Sequence, residues 1–199
     1  MLIIAFDSAT DVATAALVRD GATLGERASR AVRLLEDVDA LFAAAGVEPT
    51  AVDGIVVGTG PGSYTGLRMG LVTARVLSLS LDAPVAGVST LDALAAGAPG
   101  ALPVIDARRG EVFTLHESEP AVLAPQEVEF KADSILVGDG AARYREVFKA
   151  VGALIPPDDD PRHIPWARHH AAHARDFGPA EDARPLYLRV PDAERAATT

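Results

Sequence analysis

The sequence has no cysteine. Disulfides, thiolate nucleophiles and cysteine metal sites are therefore excluded, and the composition fits an intracellular setting. A basic stretch ahead of the first apolar run is missing too: "MLIIAFDSAT" carries no Lys or Arg, and Asp7 interrupts it too early for a signal peptide. Long uncharged apolar segments are absent. The longest helical candidate contains Arg68 and Arg75, so no segment reads as crossing a membrane. Cationic charge is also short, with a net charge of −10. That argues against a nucleic-acid binder acting alone, because phosphate contacts need Lys and Arg, but an acidic chain can work beside a partner that supplies the positive surface. These absences describe a soluble chain expected in the cytoplasm, with no membrane partner.

What is present suffices for a folded core. The 199 residues are 49% hydrophobic and 23% charged, enough for one domain or two small lobes. Leu2–Phe6 is fully apolar, as expected of a central strand covered on both faces. A turn at Asp7–Asp11 leads to a second strand at Val12–Val18, and Arg19-Asp20-Gly21 signals a hairpin into a third. Residues 31–45 change period: Leu34, Leu35, Val38, Leu41 and Phe42 lie on one helical face, with Ser29 as N-cap and Gly46 as stop. A strand at Gly54–Val57, a helix from Ser63 to Leu81, a strand at Pro84–Val88 and a short helix capped by Ser89 follow. "PGALP" at 99–103 marks a lobe boundary. Beyond it lie a hairpin bent at Arg109-Gly110, a strand running into a helix at Ala141–Val151, a loop "PPDDDP", and a helix within "IPWARHHAAHARDFG". The order β-β-β-α-β-α-β-α, then a shorter strand-rich unit, predicts a mixed α/β chain in two lobes, 1–99 and 100–199, ending in a frayed tail.

The stretch "GTGPGSYTGLR", Gly58 to Arg68, constrains the backbone most. It is not a Walker A loop, since it has no Lys, and neither Gly58 nor Gly60 starts a dinucleotide fingerprint, because Ser63 and Thr65 stand where the third glycine belongs. Ser63 is not at a nucleophile elbow, being flanked by Pro61 and Thr65. A strand-to-helix turn remains, with Gly60, Pro61 and Gly62 bending it and Ser63 capping the helix that carries Thr65 and Arg68; a helix start can also hold an anion. Within that helix Gly66, Gly70 and Ala74 form a bare stripe, which demands a very close backbone neighbour, in this chain or another. Together with Leu34, Val38, Leu41 and Phe42 the stripe makes an apolar helical pair, expected as a surface for a partner's helices or for a second copy.

"GTGPGSYTGLR", "IIAFDSAT", "VIDARRGEVF", "GVSTLDALA" (Gly87–Ala95) and "PLYLR" (Pro185–Arg189) occur in an order that resembles the TsaB (formerly YeaZ) family. This is the glycoprotease-like branch of the actin-like, sugar-kinase and Hsp70 ATPase-fold superfamily, and the correspondence runs from residue 1 to about 190. The resemblance implies ribonuclease H-like lobes with mixed sheets, the second reduced. It implies a non-catalytic subunit that holds a catalytic paralogue, TsaD, in an active arrangement for making threonylcarbamoyladenosine beside the tRNA anticodon. An ATPase, TsaE, joins them. ATP and metal would sit on those partners, with no cofactor on this chain, and tRNA would be met only through the complex. Asp7, Ser8 and Thr10 fall where active superfamily members have their first phosphate hairpin, here with Ala9 in place of a turn glycine.

The catalytic paralogue carries H-x-x-x-H on a first-lobe helix; here residues 31–45 contain no histidine, and all five, His116, His163, His169, His170 and His173, follow the lobe boundary. His169 and His173 are one helical turn apart, which allows a shared metal but lacks the HExxH glutamate; a surface cluster is the plainer reading. Asp106, Arg108, Arg109 and Glu111 read as a charged loop or, more simply, as a hairpin turn ending at Gly110. The rival function is a hydrolase using Ser63 or a histidine-bound metal, and a further one is a kinase of the same fold.

Overall fold

The computed structural model describes residues 1–189; the tail expected to fray, from Pro191, lies outside the described residues. Three strands, β1 (Leu2–Asp7), β2 (Ala13–Arg19) and β3 (Ala22–Ser29), form an antiparallel meander. Helix α1 (Leu34–Ala45) leads to β4 (Gly54–Gly58), and α2 (Tyr64–Leu81) to β5 (Val85–Val88). Both strands add in parallel, giving the order β3-β2-β1-β4-β5 with β1 at the centre. Next come α3 (Thr90–Gly97) and a second sheet from β6 (Leu102–Arg108), β7 (Glu111–His116), β8 (Glu119–Leu123) and β9 (Leu136–Val137), ordered β8-β7-β6-β9. Three short helices follow: α4 (Asp139–Arg143), α5 (Arg145–Ala150) and α6 (Ala167–His173).

Strand alternation decides the layers. Ile4, Phe6, Ile55 and Val57 point to one face of the first sheet, where Leu34, Val38, Leu41 and Phe42 of α1 join Leu71 and Ala74 of α2 in one buried cluster. Ala5, Ala16, Val56 and Ala86 point to the other face and meet Ala167 and Ala171 of α6. Small residues on both sides bring this helix close to the strands. In the second sheet, Val104, Val112 and Leu136 pack on Phe148, while Ile105, Phe113 and Val137 meet Leu91 and Leu94 of α3.

Several expectations need correction. The second half is not a contiguous lobe: α6 and the bridge between Val85 and Gly178 return the chain to the first sheet. No side chain caps α1; a 3-10 turn, Ala31–Arg33, precedes it, and the Ser29 hydroxyl donates to Asp37 instead. The helix expected at 141–151 is broken at Tyr144 into α4 and α5. Strand β8 was not anticipated, because Glu117 and Ser118 make its turn in left-handed conformations without a glycine.

Candidate functional site

The glycine stretch lies against the β1–β2 turn. Ser63 accepts a hydrogen bond from the Gly66 N–H at 3.3 Å, the expected cap of α2, and its own N–H donates to the Ala9 carbonyl at 2.7 Å. A Cβ at Gly62 would fall on the Ala9 carbonyl, one at Gly66 on the Ser8 carbonyl, and one at Gly70 within 2.8 Å of the Ser8 hydroxyl oxygen. The close neighbour demanded by the two glycines is therefore this chain's own turn, and Ala74 is buried in the core that α1 and α2 share. Gly60 takes φ +94° and precedes a cis peptide to Pro61.

The same contacts engage the turn at Asp7, Ser8 and Thr10, expected as a vestigial phosphate hairpin that serves as a polar turn. Asp7 is buried: its carboxylate accepts from the Ala9 N–H at 2.6 Å and the Thr90 hydroxyl at 2.7 Å, and lies 2.8 Å from His170 Nε2, which is fully buried. Burial opposes the charge on Asp7, but the facing imidazole, the hydroxyl and the N–H outweigh it and hold the carboxyl below its ordinary value. The Ser8 hydroxyl donates to the Gly66 carbonyl, and that of Thr10 to Val12. All three side chains are thus hydrogen-bonded within the chain, and only Thr10 also lines the cleft.

Three histidines expected as a cluster point three ways. His170 faces Asp7; the ring of His169 packs on α3 at Gly97, burial lowering its pKa to about 4, with its neighbour Arg168 adding to the effect; His173 is exposed. Among the described residues no group of three His, Cys, Asp or Glu is arranged to hold a metal. His163 is buried in a different place, 2.9 Å from the Gly138 N–H.

Between the two sheets runs a cleft of about 400 Å³. One wall is Thr10, Asp11 and the start of α2; the other is the β6–β7 hairpin and Asp139. The hairpin turns through Arg108, Arg109 and Gly110 at φ +63°, +56° and +83°, the tight turn expected there. Arg108 reaches across to Asp11 with contacts of 2.7 and 2.9 Å, and also faces the buried Asp106 at 3.1 Å. Asp139 accepts from the Asp106 N–H at 2.9 Å, but burial and the charge of Asp106 raise its pKa to about 6. Neither Asp139 nor the Arg108–Asp11 bridge was anticipated, for their partners lie far apart in sequence.

The inner face of the helical pair is spent. Leu34, Val38, Leu41, Phe42, Gly66, Gly70 and Ala74 all face this chain's own core, which corrects their assignment as an exposed surface. The outer side of α2 carries a second stripe, Met69, Val72, Val76 and Leu79, spaced three, four and three. Val72, Val76 and Leu79 are 56%, 58% and 89% exposed; Val32 ahead of α1 and Leu35 in its first turn are open as well, so Leu35 leaves the buried face expected for it. That spacing, the a/d seam of packed helix pairs, was readable in the sequence.

Comparison with known proteins bears on this geometry. A family model described as "TsaD: tRNA N6-adenosine threonylcarbamoyltransferase" matches residues 17–147. An uncharacterized protein of Mycobacterium tuberculosis is 36% identical, the match covering 98% of this chain and 95% of that one. The Escherichia coli tRNA threonylcarbamoyladenosine biosynthesis protein TsaB is 31% identical over 95% of both chains. The solved structure of YeaZ from Pseudomonas aeruginosa superposes with a TM-score of 0.75 at 30% identity, covering 94% of this chain and 99% of that one.

Proposed function

The chain belongs to the TsaB (YeaZ) family, and on that premise we propose that it is a non-catalytic subunit that docks a TsaD-type catalytic paralogue through the outer face of α2. Its two mixed sheets are those of the actin-like ATPase fold, and its pathway is tRNA threonylcarbamoyladenosine biosynthesis. The observation that carries the docking reading is the exposed seam of Val72, Val76 and Leu79, opposite a helix face already buried in the core. A helix buried on one side with an a/d seam on the other lacks a partner helix. The match of this chain to a TsaD model supports a partner of the same fold, able to present an equivalent helix pair. A TsaE-type ATPase completes the assembly; ATP and metal belong to the partners, tRNA is met through the complex, and the cytoplasm is the expected setting. Without the paralogue the same seam pairs two copies.

Two observations weigh against chemistry on this chain. Ser63 spends its hydroxyl on a helix cap, and the histidines of α6 serve three separate environments. The test is reconstitution of tRNA modification from TsaD- and TsaE-type proteins of the same source. Activity should require this chain, survive alanine at Ser63, His169 and His173, and vanish with Val76→Asp plus Leu79→Asp while the melting temperature holds. Activity independent of the chain would sink the proposal. Loss of activity with Ser63→Ala in a folded chain would favour the hydrolase reading.

A further inference from the structure

The interlobe cleft is crossed by a piece of the chain itself. Beyond the buried Ala183, residues 185–189 have no regular secondary structure. The Leu186 N–H donates to the Thr59 carbonyl at 2.8 Å, on the β4 side of the cleft. The Tyr187 ring stacks on Tyr64 in the first turn of α2, with centroids 5.3 Å apart, and Arg68 covers Tyr64 at 4.2 Å. Leu188 then packs into the cluster of Ile105, Phe113 and Val137, which belongs to the second sheet. Arg189 donates to the Ala107 carbonyl at 3.0 Å and pairs with Glu111. Four consecutive residues thus bridge the cleft: Leu186 and Tyr187 hold one wall, Leu188 and Arg189 the other.

We propose that Pro185–Arg189 is a releasable strap that holds the cleft between the lobes closed, in parallel with the Arg108–Asp11 bridge. Its attachments are of the kind that open locally. One backbone hydrogen bond anchors it to the first wall, Tyr187 is 42% exposed, and the bridge from Arg108 to Asp11 is solvated at both ends. Leu188 and Arg189 contact the cluster that buries Ile105 and Ala107, both of which line the cleft, so release of the strap uncovers these two residues. The strap joins two walls of a single chain and operates whatever the docking partner is.

The absence of native cysteine makes the test clean. An Ala107→Cys thiol, beneath the strap, reports opening by its rate of maleimide labelling; an Ala16→Cys thiol, buried in the first sheet, reports general unfolding. Tyr187→Ala with Arg189→Ala should speed labelling at position 107 tenfold or more and leave position 16 unchanged. Tyr187→Phe alone keeps the ring stack and should label like the parent. An unchanged rate at 107 in the double variant would overturn the strap. Equal acceleration at both positions would overturn it too, by showing that these side chains support the whole fold.

Discussion

Asp7 and Asp139 are both withdrawn from water close to the same cleft, and their surroundings push them in opposite directions. Asp7 ends β1 with a hydroxyl, a backbone N–H and His170 around it, and its carboxyl stays below the ordinary range. Asp139 opens α4 against another carboxylate, Asp106, and its pKa climbs to about 6. Depth alone does not set the cost: Asp7 is the more deeply buried of the two, yet its charge is favoured by a facing imidazole and donors, while that of Asp139 is opposed by a second carboxylate. Asp7 gains from being charged where it sits; Asp139 does not.

The largest effect should come from unpairing Asp7. His170→Ala leaves the buried Asp7 without its imidazole partner and should cost about 3–5 kcal/mol in urea unfolding. Combining it with Asp7→Ala should cost less than the two single losses added, as for any directly coupled pair. The contribution of Asp7 is present above the unfolded carboxyl pKa and is lost as pH falls through its lower folded value. It therefore appears as acid sensitivity below about pH 4. Gly66→Ala comes next: the new Cβ meets the Ser8 carbonyl, and overpacking of about 1–3 kcal/mol should outweigh the gain in helix propensity.

On the other wall the sign reverses. Because the folded pKa of Asp139 lies above its unfolded value, the penalty is fully present above about pH 6 and fades as pH falls toward 4. Asp139→Asn should therefore stabilise the chain at pH 7–8, on the order of 1–2 kcal/mol, and flatten its melting temperature between pH 4 and 6. Loss of stability at pH 8 in that variant would break the comparison. The smallest change is expected from Asp11→Ala, which removes the bridge exposed at both ends and leaves Arg108 facing Asp106; about 0–1 kcal/mol should be lost, and less at high salt.

Helix faces show how far the sequence could be read. The period of Leu34, Val38, Leu41 and Phe42 announced a buried face on α1, and the Gly66/Gly70/Ala74 stripe announced a close neighbour of α2. Neither pattern says whether the covering surface is the same chain or another, because close packing needs the same small and apolar residues in both cases. The structure resolves that: the glycines admit the Ser8–Ala9 turn, and the free seam is the one at Val72, Val76 and Leu79. The cap at Ser63, the stop at Gly46 and the central place of β1 were legible because they depend on residues close by in the chain.

By itself, then, the sequence determined the elements, their apolar faces and the family, all of which are written in local spacing and in ordered motifs. Tertiary structure alone decided the rest. It brought His170 to Asp7 across 163 positions, stretched Arg108 to Asp11 over the cleft, and returned α6 to the first sheet. Such contacts form between residues far apart in the chain, where periodicity carries no information and only the packed geometry sets which groups meet.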